Sequence, residues 1–172
     1  MSMKPNVRKF ALTTHITFSV GWIGTVIAYI ALAFAANTTQ DALMVRVTWI
    51  AMEFIGWYVI VPLSIASLLS GIIMSLGTPW GLFRHYWVIV KQLLTVISTL
   101  VLILHMPTVS FFAKKIKEMD SASLGGIPSE LFHPGIGLFV LLVIMVLSVY
   151  KPKGLTRYGW LKQQEERRVS KQ

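Results

Sequence analysis

Four histidines, His15, His85, His105 and His133, stand in or at the edges of long apolar stretches. Helical rise is about 1.5 Å per residue. Counted at that rise, His15 lies about 7 Å inside the first stretch, and His85 about 5 Å from the same edge of the third. His105 falls near the opposite edge of the third stretch, and His133 opens the fourth at that edge. The histidines therefore form two pairs at matched depths. Two neutral imidazoles facing each other from different helices are what a bis-histidine haem needs, with the apolar bundle covering the porphyrin faces. This reading gives two b-type haems as cofactors, the inner one on His15 and His85, the outer one on His105 and His133. Stacked across a bilayer they would carry electrons to or from a quinone or quinol, with Arg84 and Arg46 placed to pair with haem propionates.

Two other readings use the same residues. Histidine is also at home near a membrane interface, where it reaches water, and four histidines at helix ends suit a non-enzymatic accessory subunit or small transporter equally well. His85 and His105 are 20 residues apart, which is about 200° around a helix, so they face opposite ways. In a square bundle the inner pair would have to reach across the diagonal. The third reading is an outer metal site. Glu53 lies 22 residues before Ser75, at the depth of His105 and His133, and an intramembrane carboxylate is a functional candidate. Glu53, His105 and His133 make up a two-histidine, one-carboxylate set. Glu53 also suits proton exchange with a quinol, or a simple interfacial charge. Lys91 lies about 13 Å inside the third stretch, near Gln92, Thr95 and Ser98, with no assigned role.

The elements that position these residues are membrane helices. The chain has 172 residues, 55% of them hydrophobic and 13% charged, with a mean hydropathy of +0.66. Soluble domains carry about 25% charged residues, so a soluble enzyme is excluded. A membrane-spanning helix needs about 20 apolar residues. Four segments qualify, at about 10–36, 47–76, 82–106 and 133–150, forming one domain over 1–150 with a basic tail over 151–172. The fold expected is an all-α, up-down-up-down transmembrane four-helix bundle. The first apolar run is longer than the roughly 7–15 residues of a signal-peptide core, so it reads as a retained helix. The chain has no cysteine, which excludes disulfides and thiolate metal sites.

The formal charge of +9 would suggest nucleic acid in a soluble protein. Here the basic residues sit in tails and loops, so the partner is the lipid bilayer and not nucleic acid. Eleven of the 16 flank one side, at Lys4, Arg8, Lys9, Arg84 and throughout the tail, against Arg46, Lys114, Lys115 and Lys117 on the other. Lys and Arg concentrate in cytoplasmic loops, which puts both termini in the cytoplasm and the protein in a bacterial inner membrane, with a homo-oligomer or membrane complex open.

Asp41 and the threonines before it suit the N-cap of the second helix. Pro62 should kink that helix, and Ser67, Gly71 and Ser75 at four-residue spacing allow close helix packing. Gly77 to Gly81 reads as a tight turn. The third connection, about 107–132, holds Phe111 to Lys117, which suits an interfacial segment or a solvated loop. Gly125 to Pro128 should break any helix there.

Three stretches carry a resemblance. They are His15 to Ala33 around Val20-Gly21-Trp22-Ile23-Gly24, the junction Ser75 to Trp87, and the tail Lys151 to Gly159. Together they resemble a family of small bacterial four-span integral membrane proteins, which implies the four-span architecture and brings no catalytic residues. In architecture alone the chain is also similar to diheme cytochromes of the b561 type, a fold-level analogy.

The charge asymmetry makes a direct prediction. Alkaline phosphatase fused after Gln172 should be inactive and a cytoplasmic reporter at the same point active. The opposite pattern would invert the orientation.

Overall fold

The computed structural model describes residues 3–78, 80–119 and 129–169. Helix α1 spans Pro5–Thr38, α2 Ala42–Ile55, α3 Val61–Gly77, α4 Tyr86–Glu118, α5 Phe132–Tyr150 and α6 Arg157–Val169. A π-helical turn, Gly56–Ile60, joins α2 to α3. The second span is thus α2, the π turn and α3 in one run. Four helices are long and apolar enough to cross a membrane, at Pro5–Thr38, Ala42–Gly77, Tyr86–Glu118 and Phe132–Tyr150. The fold is the all-α four-helix bundle, and the protein is a multi-pass membrane protein in contact with lipid. The outward faces are apolar, as lipid requires, with Phe54, Leu104 and Phe139 all exposed.

The first and second spans pack together, as do the second and third, the third and fourth, and the fourth and first. The first and third sit across the diagonal. The buried seam is built from Trp22, Tyr29 and Ala33 on α1, Trp49 and Met52 on α2, and Met106, Val109 and Ile116 on α4.

Local chemistry explains the joints. Asp41 caps α2, its side chain accepting from the Leu43 amide at 2.9 Å. Pro62 lacks an amide hydrogen and its ring collides with the carbonyl four residues back. The chain resolves this by widening the preceding turn, where the Val61 amide donates to the Gly56 carbonyl five residues earlier. Gly56 also admits the end of Met106, so the second and third spans touch closely at this turn.

Two expectations are corrected. The third helix does not end at Met106. It runs through Pro107 to Glu118. An interior proline costs about 3 kcal/mol, and burial opposes that cost. Val109, Ala113 and Ile116 share one face and are almost fully buried, Phe112 packs on Trp49 with ring centroids 5.7 Å apart, and the Trp57 indole donates to Ser110 at 2.9 Å. Phe111 to Lys117 is therefore helix continuous with the span and packed against α2, not a loop. The helix also starts at Tyr86 and not at 82. Leu82 to His85 are held outside it by the tail, through an antiparallel bridge between His85 and Leu155. The breaker at Gly125 to Pro128 and Pro79 of the tight turn lie outside the described residues.

One end of the bundle, the basic end, is tied shut. The Met3 amide donates to the Gly77 carbonyl at 3.1 Å, Tyr86 to Gly154 at 3.2 Å, and Thr156 to Arg84 at 3.0 Å. The Thr156 hydroxyl donates to the Phe83 carbonyl at 2.6 Å and accepts from the Gly159 amide at 3.0 Å, starting α6. Arg84 pairs with Glu166. Gly159 lies directly on the Arg84 backbone, and a Cβ there would collide with the Arg84 carbonyl oxygen. At Gly154 a Cβ would meet only Tyr86, at an ordinary 3.6 Å. Gly159→Ala should therefore lift α6 off the junction, with a loss of about 1–3 kcal/mol and faster proteolysis of the tail. Gly154→Ala should do neither. Thermal unfolding and limited trypsin digestion in detergent compare the two.

Candidate metal centre

The end opposite the basic one, the distal end, brings three ligand-type side chains together. His105 sits on α4 one residue before the buried Met106, and His133 follows the first residue of α5. Glu130 lies just ahead of α5, only 5% exposed. His105 Nε2 donates to Glu130 Oε2 at 3.0 Å. The His105 and His133 rings stack with centroids 4.2 Å apart and planes 26° from parallel. One ligand atom from each residue lies within 4.8 Å of the others. Beside the group a cavity of about 330 Å³ runs between α1, the π turn, α4 and α5, walled by Trp22, Tyr29, Ile60 and Val101.

The chemistry of this set is specific. A carboxylate buried this deeply needs a cationic or hydrogen-bonded partner, and His105 supplies one. The hydrogen between Nε2 and Oε2 stands where a divalent cation could stand. Ligands about 2.0–2.2 Å from a metal in tetrahedral or octahedral arrangement lie about 3.0–3.5 Å apart. The His105 to Glu130 edge already has that length.

The expected site residues distribute as follows. His105 and His133 come together as anticipated from depth. Glu53, half-buried on α2 one turn before the π segment, is not in the group. Glu130 holds the carboxylate position instead. Depth counting overlooks it because it precedes the span, yet the run Glu130-Leu131-Phe132-His133 has the Glu-x-x-His spacing of carboxylate–histidine metal sites. Arg46 donates to the Met119 carbonyl, closing the C-terminus of α4 onto α2. Arg84 is engaged with Glu166 in the basic-end clamp.

At the basic end, His15 and His85 are held by different neighbours. Ser70 donates its hydroxyl hydrogen to the Ala66 carbonyl at 2.7 Å, so His15 Nδ1 is the donor in its 2.9 Å bond to Ser70 Oγ. His85 caps the start of α4, and its Nδ1 donates to the Trp80 carbonyl at 2.8 Å. The two helices are the diagonal pair, and the rings are not in contact. As for the outer pair, axial imidazoles approach iron end-on from opposite porphyrin faces, about 2 Å from the metal on each side. Rings stacked at 4.2 Å leave no plane for a porphyrin between them. A haem there requires the rings to part.

Comparison of the chain with protein-family models, with curated proteins and with solved structures finds no match.

The pairing predicts a structural dependence. Glu130→Leu leaves His105 Nε2 without its acceptor, whereas Glu130→Gln keeps one. The leucine variant should lose about 1–3 kcal/mol and the glutamine variant less, read from unfolding in detergent without added metal.

Proposed function

We propose that this multi-pass membrane protein binds a divalent first-row transition metal at its distal end, through His105, Glu130 and His133. The observation that carries this reading is the convergence of the three ligand atoms within 4.8 Å, on a carboxylate that is otherwise buried. His133 is exposed, so its ring can turn and bring a nitrogen toward the edge made by His105 and Glu130. Three protein ligands of this kind leave one open position on tetrahedral Zn²⁺ or three on octahedral Fe²⁺. The adjacent cavity gives a bound molecule access to such a position. With both termini cytoplasmic in a bacterial inner membrane, the site faces the outer side.

Equilibrium dialysis of chelator-stripped protein against Zn²⁺ and Fe²⁺, with metal counted by elemental analysis, tests the reading. The wild type should hold one equivalent. Glu130→Gln and His133→Ala should each bind about 100-fold more weakly or worse, and Glu53→Gln should bind like the wild type. Binding that depends on Glu53 and not on Glu130 would move the site. A Soret band in the purified protein, lost in His105→Ala or His133→Ala, would replace the metal by haem.

A further inference from the structure

A second, larger cavity of about 640 Å³ opens within the basic half of the bundle, lined by residues of all four spans. Its chemistry is one-sided. Arg8, Lys91 and Lys151 bring positive charge to its lining, and no Asp or Glu is among the described residues that form it. Lys91 lies within a membrane span, where an ammonium is expensive unless it meets a partner or water. Among the described residues it has no carboxylate partner. The Trp87 ring lies beside it, 5.8 Å from Nζ to centroid. Lys151 lies over the Trp80 ring at 5.3 Å.

The neutral groups add to the imbalance. The Trp87 indole N–H and the Gln92 amide nitrogen are buried without an acceptor, and both residues line this cavity. Trp87 itself is only 7% exposed. An indole nitrogen can only donate, and leaving a buried donor unpaired costs about 1–3 kcal/mol. No hydroxyl among the described residues accepts from either donor. Ser75, Thr95 and Ser148 donate to the backbone carbonyls of Gly71, Lys91 and Ile144. Unpaired donors in the wall and cations without a carboxylate partner among the described residues surround one space, and the missing chemistry is a group with negative charge.

We propose that this cavity binds an oxyanion, a phosphate or carboxylate group, against Lys91, Trp87 and Gln92, with Arg8 and Lys151 at its basic rim. The oxygens accept from the indole and amide and neutralise the ammonium, in a low-dielectric site where charge-assisted bonds are strong. The apolar remainder of the lining, which includes Leu12, Ile16 and Leu141, accommodates hydrocarbon attached to the anion. The anion is supplied by an anionic lipid headgroup or by a free oxyanion, and both present the same atoms.

The test uses the full chain in phosphatidylcholine nanodiscs. Binding is read from tryptophan fluorescence and by calorimetry, with inorganic phosphate as one probe and phosphatidylglycerol doped into the disc as the other. At least one probe should bind saturably. Lys91→Met should weaken it tenfold or more, Gln92→Leu should weaken it severalfold, and Lys91→Arg should stay within about threefold of wild type. Saturation by phosphate alone identifies a free oxyanion. Retention of phosphatidylglycerol that phosphate does not displace identifies a lipid headgroup. Lys91→Met must keep the wild-type melting transition. If it does not, Gln92→Leu carries the comparison. Wild-type protein that binds neither probe, or binding unchanged in both Lys91→Met and Gln92→Leu, would overturn the proposal.

Discussion

Inside a bilayer no water is available to satisfy a backbone amide or carbonyl, and this constraint governs the whole molecule. It turns each apolar run into a helix and also disposes of most intramembrane polar side chains. Thr17, Thr25, Thr48, Ser64, Ser70 and Ser75 each donate to a carbonyl three or four residues earlier in their own helix. A hydroxyl can be absorbed this way because it is short and has one hydrogen. Imidazole, ammonium and carboxylate cannot, and must find partners across the bundle. His15 reaches Ser70, and His105 reaches Glu130. Lys91 and the Trp87 indole remain without an acceptor among the described residues. The functional candidates are thus the side chains that the helices could not satisfy internally.

The four spans and their order were legible because length and hydropathy determine them, and the capping role of Asp41 because its short carboxylate reaches the first free amides of the helix. Residues where tertiary packing overrules local signals were not. Pro107 reads as a helix end, but nothing in its neighbourhood reveals that Val109, Ala113 and Ile116 will bury against α2. Leu82 and Phe83 read as the start of a span, but the backbone groups that hold this segment outside the helix come from residues 154–156, far along the chain.

The distal centre shows the same division. Depth counting pairs His105 with His133 because both are fixed by helix register. It selects Glu53 as the carboxylate for the same reason, although depth says nothing about which face a residue occupies. Glu130 belongs to no span, so its distance from the membrane edge could not be counted. Only its three-residue spacing from His133 marked it. At the basic end, matched depth did not bring His15 and His85 together, because their helices occupy opposite corners of the bundle and each ring has a nearer hydrogen-bond partner.

The clamp at the basic end also has a history in time. Residues 83–86 join spans two and three, yet the groups that fix them, the backbone of Gly154 and Leu155, the Thr156 hydroxyl and the surface of Gly159, are made about 70 residues later. At about 5–20 residues per second of synthesis, the hairpin of spans two and three waits roughly 4–14 seconds with an unfinished joint. During that interval its turn can be held only by its own local bonds, such as the Gly81 amide to the Thr78 carbonyl, and by the earlier-made Met3 amide on the Gly77 carbonyl. The last element to emerge therefore completes an early one, and this end cannot close before the fourth span has been synthesised.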